Sequence, residues 1–123
     1  MTTFTEGRHP GEFLLSEASF HRSRDTITVA SGSGKIAPGM VLGKVSASGK
    51  YKPATATGST GEETAVAVAL YGCDATSADQ TITAITRDAE VKTPALSYGS
   101  TINDDTRKGA ARAQLAAVGI ICR

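Results

Sequence analysis

The sequence predicts a mainly β (α+β) fold, in which a body of short strands carries one helix near the C-terminus and a flexible N-terminal arm. Three observations predict it. Short β-branched or apolar runs, such as Thr26–Val29 and Gln80–Thr86, lie between clusters of Gly, Ser and Pro, which punctuate strands. A single stretch, after Asn103, has apolar residues at helical spacing. The first ten residues, MTTFTEGRHP, are polar apart from Phe4 and end in a helix breaker, which is the composition of an arm that does not pack by itself.

The length of 123 residues suits one core. The expected organisation is an arm over residues 1–25 and a β-rich domain over residues 26–123. Within the arm, Phe13-Leu14-Leu15 is an apolar patch between charges, and reads equally as an edge strand or as a peptide that docks elsewhere. Thr26-Ile27-Thr28-Val29 alternates with period two, as a half-buried strand does. Pro38-Gly39 precedes a strand over Met40–Val45, and the Ser46–Gly49 turn returns the chain at Tyr51, so this segment reads as a hairpin. Residues 54–63 (ATATGSTGEE) have little bulk and are expected to form an exposed loop. Thr64–Tyr71 is an apolar run too short for a helix and suited to a strand buried on both faces. Gln80–Thr86 is a further strand, with Ile82 and Ile85 out of strict alternation, as a bulge would leave them.

In the helix, Asn103 is expected to cap the first turn, Asp104 and Asp105 to oppose the dipole, Ala111, Leu115 and Val118 to face the core, and Gly119 to end it. Ile120-Ile121-Cys122 is expected as a closing strand. Trp is absent and aromatics make up 5% of the chain, so the core is built from Val, Ile, Leu and Ala, and is thin. A thin core favours oligomerisation, which buries surface that the monomer leaves exposed.

No residue pattern assembles a reaction. Cys73 and Cys122 form no CxxC pair and are expected to be buried free thiols. His9 and His21 lack the spacing of metal ligands. Gly34-Lys35 and Gly49-Lys50 lack the earlier glycine and the following hydroxyl of a phosphate loop. No G-x-S-x-G elbow is present. Glu62-Glu63 and Asp104-Asp105 are adjacent pairs, which point apart rather than across a cleft. Arg107, Lys108 and Arg112 have no interleaved aromatics, and a net charge of +1 gives no general attraction to nucleic acid. No apolar stretch is long enough to cross a membrane. These readings assign no catalytic, cofactor-binding or metal residues and no cofactor, and leave shape and surface as the route to function. The alternative is a small β-clip or barrel enzyme, a hydrolase whose site gathers Asp74, Asp79, Asp88 and Lys92.

One order of features carries a resemblance: Ile36-Ala37-Pro38-Gly39-Met40-Val41-Leu42, Lys50-Tyr51, a Gly/Thr loop, the Ala-Val strand, then Asn103-Asp104-Asp105-Thr106-Arg107-Lys108 before an Ala-rich helix. In this the chain resembles the head decoration proteins of lambda-like tailed bacteriophages, from Ile36 to Arg123. The resemblance implies a compact β-clip-like fold and a structural homotrimer, without enzymatic activity, on the outer surface of the virion capsid. There it would sit at three-fold positions of the expanded head, bind the major capsid protein, and stabilise the shell against DNA pressure. It implies no direct nucleic-acid or membrane partner, and assembly in the host cytoplasm. It also implies an N-terminal arm that pairs with capsid strands, for which the candidates are Phe4, Phe13, Leu14 and Leu15. The chain departs from the lambda protein in the apolar character of Phe13–Leu15 and in its lack of Trp.

Overall fold

The structure, a computed structural model, describes residues 3, 5–19 and 22–123. Among the described residues, ten short strands and one α-helix follow in the order β1 Leu14–Glu17, β2 Arg24–Val29, β3 Gly34–Ile36, β4 Val41–Lys44, β5 Tyr51–Pro53, β6 Ala65–Ala69, β7 Cys73–Ala75, β8 Gln80–Ile85, β9 Ala89–Val91, α1 Asp105–Ala117 and β10 Ile120–Cys122, with a 3-10 turn at Thr93–Ala95 between β9 and α1. The fold is mainly β with a C-terminal helix, as the composition of the strands predicts.

Strands β2, β5, β4, β6 and β8 close a barrel. β2 and β8 pair antiparallel over their full length, from Arg24↔Ile85 to Val29↔Gln80, so the alternation of Ile27 and Val29 with Thr26 and Thr28 points the apolar side chains inward. This register is unbroken, and the bulge expected near Ile82 is absent; register shifts occur instead between Leu42 and Gly43 and between Leu14 and Ser16. β6 is buried almost throughout, because β4 and β8 flank it and the helix covers it. The expected β4–β5 hairpin forms, with Lys44 opposite Tyr51.

Outside the barrel, β3 pairs with β7, and β1, β9 and β10 form a three-stranded sheet in which β10 runs parallel to β9. β3, β7 and β9 have three residues each and carry no periodicity that marks them in sequence. One apolar cluster, including Phe13, Val68, Ile85, Leu115 and Ile120, lies under the helix; a second, including Val29, Leu42 and Ile82, fills the barrel.

Four further sequence expectations are corrected. The boundary placed after residue 25 falls inside β2, and folded structure begins about Phe13, which is 1% exposed. The burial of an aromatic ring and the pairing of β1 with β9 outweigh the polar character of the flanking residues. Asp104, not Asn103, caps α1, its carboxylate accepting from the Arg107 amide at 2.8 Å. Residues 54–63 form the expected loop but are exposed only at residues 57–60: the Thr55 amide donates to Glu62 O at 3.0 Å and the Ser46 amide to Thr60 O at 2.8 Å, and the Glu62 main chain packs against Gly43 of β4. Cys73 and Cys122 are free but half-buried: each shares the core-facing side of its strand with a fully buried residue, Ala75 or Ile120, but stands at the strand's end, at the margin of the core.

Candidate functional site

The N-terminal segment changes character over a few residues. Thr3 and residues 5–10 are exposed, and they touch the body through Arg8, whose guanidinium donates to Pro94 O at 3.3 Å. His9 and Glu6 form an exposed pair at 2.7 Å. Gly11 follows with φ +73°, a conformation that favours glycine, and turns the chain so that Phe13 enters the core beside Gly39. Beyond Phe13, β1 lies along β9, and its other edge has no strand partner among the described residues.

A polar clasp secures the far end of β1. Arg24 Nε donates to both Glu17 oxygens, at 3.0 and 2.9 Å, and the fully buried Ser23 hydroxyl donates to Glu17 Oε2 at 2.6 Å. The Arg24 hydrogen bond, with Ser23 adding to it, holds the Glu17 carboxyl below its ordinary value of 4.5. A second clasp lies nearby, where Arg87 and Thr86 donate to Asp25 and lower its pKa, the Arg87 bond being the larger cause. These groups bind strands to one another.

The four arm candidates therefore divide. Phe4 lies outside the described residues. Phe13 is buried in its own core and Leu14 packs against it, so neither side chain is presented to a partner in this conformation. Leu15, displaced by the irregularity in the β1–β9 pairing, is 48% exposed. Ile121 is exposed on β10 of the same sheet. This exposure was hidden in the sequence, where Ile121 reads as one of three equivalent apolar residues.

Two of the four residues of the hydrolase alternative, Asp74 and Asp79, are held by other side chains or amides. Asp74 accepts from the Thr76 amide at 3.1 Å and from its hydroxyl at 2.5 Å. Asp79 pairs with Lys50 at 2.6 Å and accepts from the Ser31 amide at 2.7 Å. Asp88 occupies a left-handed turn position at φ 52°, beside Gly119, and the Lys92 amide donates to Phe13 O. None of the four lines any of three surface recesses, around Ala56 and Gln114, around Met40 and Tyr98, and around Arg24 and Thr83.

Gly34-Lys35 opens β3 and Gly49-Lys50 leads into β5, so neither pair precedes a helix that would hold phosphate. Among the described residues, no group of three or more His, Cys, Asp or Glu is placed to hold a metal ion, and no helix is long and apolar enough to cross a membrane. His21 lies outside the described residues.

Fold and surface define a small β-barrel domain that presents an exposed N-terminal segment beside an open-edged sheet. The family model described as bacteriophage lambda head decoration protein D matches residues 3–120, and the chain belongs to that family. Its class is thus that of a structural protein of the phage capsid. No curated protein matches the chain.

Proposed function

We propose that this chain is a homotrimeric decoration subunit that binds the outer face of the expanded phage head at three-fold positions. It holds neighbouring major capsid subunits together and stabilises the shell against the pressure of packaged DNA. The observation that carries this reading is the family match over residues 3–120.

The N-terminal segment supplies a mechanism consistent with it. Residues up to Pro10 add to a capsid sheet as an extra strand, while Gly11 is the pivot and Phe13 the anchor that ties the segment to the domain. Each added backbone hydrogen bond nets about 0.5–1.5 kcal/mol, and ordering the segment offsets a few kcal/mol of that. One segment binds weakly. Three on one trimer raise the effective concentration and increase avidity by about 100-fold or more. Because the protein binds the expanded shell in preference to other states, binding stabilises that state by linkage.

The test adds purified protein to undecorated expanded shells and measures occupancy by sedimentation. The full chain is expected to saturate them. A chain lacking residues 1–10 is expected to keep its fold and lose at least about tenfold in affinity. Unchanged binding after this deletion would refute strand addition, and failure of the full chain to bind would refute the decoration role.

A further inference from the structure

The recess around Met40 and Tyr98, of about 360 Å³, lies between the Gly32-Ser33 turn, the end of β5 and residues 98–101. Its floor is apolar, from half-buried Met40, Pro53 and Tyr98. Lys35 and Lys52 stand on its rim, no carboxylate lines it, and neither lysine enters an ion pair among the described residues. The carboxylates that face these lysines, Asp74 across the strand from Lys35 and Glu62 near Lys52, lie outside the lining. The ammonium of Lys108, outside the lining, lies 5.7 Å from the centre of the Tyr98 ring. An apolar floor with a cationic rim fits an acidic segment that brings little bulk.

Such a segment continues directly from the recess wall. Past Thr101 the chain reaches Asn103, Asp104 and Asp105, all exposed. Asp104 is occupied in capping the helix, whereas Asp105 enters no ion pair among the described residues. Complementary patches that are neighbours on one surface suit cyclic assembly. In a ring each copy offers two different faces, and near the axis of a three-membered ring those faces adjoin.

We propose that the recess receives the Asp104–Asp105 tip of a second copy, so that this contact closes the three-fold ring. The proposal rests on the trimeric reading above, and names the surface that reading leaves open.

Charge reversal tests it in the full-length chain. Sedimentation equilibrium measures the assembled mass against the 12.6 kDa chain, and circular dichroism confirms that each variant is folded. Lys35→Glu with Lys52→Glu, and separately Asp105→Lys, are each expected to weaken self-association at least about tenfold, because like charges then face each other. Combining all three substitutions in one chain is expected to restore assembly. Asp104 is left intact because it caps the helix.

A wild-type chain that stays monomeric at about 100 µM, far above the working range of a stable oligomer, would overturn the trimeric reading itself. A trimeric wild type whose folded charge variants assemble equally well would overturn only the surface proposed here. So would variants that lose assembly without recovery in the combined chain, or variants that assemble normally but lose shell binding.

Discussion

Gly43 shows how a single position can be decided by packing that lies far away in the chain. A Cβ built there would come within 2.6 Å of Glu62 Cα, and main chain cannot yield as a flexible side chain would. Gly109, in α1, has only the tip of Arg112 near its position, at 3.8 Å. Opposite outcomes follow for one chemical change. Gly43→Ala is expected to destabilise the fold by about 2–4 kcal/mol through overpacking. Gly109→Ala is expected to stabilise it by about 0.5–1 kcal/mol through reduced backbone entropy in the unfolded chain. Urea denaturation of the two variants checks both signs. The gain at Gly109 is legible once the helix is read, but the loss at Gly43 is not, since there it is one more glycine in a hairpin strand.

Among the elements, α1 and β1 illustrate what local pattern conveys. The helix is legible because its apolar stripe, its acidic start and its glycine stop agree. Ala111 and Leu115 are buried, Val118 packs on the core, and Gly119 ends the helix at φ +87°. Its first residue is not legible, since Asn103 and Asp104 are both good caps and only backbone geometry selects between them. Asp104→Ala is expected to cost about 1 kcal/mol, and Asn103→Ala much less, as measured by thermal unfolding.

β1 is the converse case. Its composition suits an edge strand and a docking peptide equally, and in the folded chain it pairs with β9 as an edge strand, held by the Glu17–Ser23–Arg24 clasp. Phe13→Ala tests its anchoring: loss of a fully buried ring is expected to cost about 3–5 kcal/mol in denaturant unfolding, whereas Leu15→Ala is expected to be nearly neutral.

For the whole molecule, the two clasps link stability to pH. Glu17 and Asp25 are held below their ordinary values by Arg24 and Arg87. A carboxyl with a depressed folded-state pKa contributes stability above its unfolded pKa, and that contribution is lost as pH falls through the folded value. Stability is therefore expected to change little between about pH 7 and 5 and to fall below about pH 4. Glu17→Gln is expected to lower stability at neutral pH and to flatten the acid limb, which denaturant midpoints across pH would reveal.

The sequence by itself determined the fold class, the hairpin, the buried Ala-Val strand, the helix and the closing strand, because each rests on periodicity or turn chemistry within a short window. The resemblance from Ile36 onward pointed to the family that the match over residues 3–120 established. Only the tertiary structure decided the barrel, the three-residue strands β3, β7 and β9, and the point at which the N-terminal segment joins the body. Those features depend on pairings between residues far apart, such as Leu14↔Val91 and Lys35↔Asp74, and no local pattern encodes a partner that the chain meets only when folded.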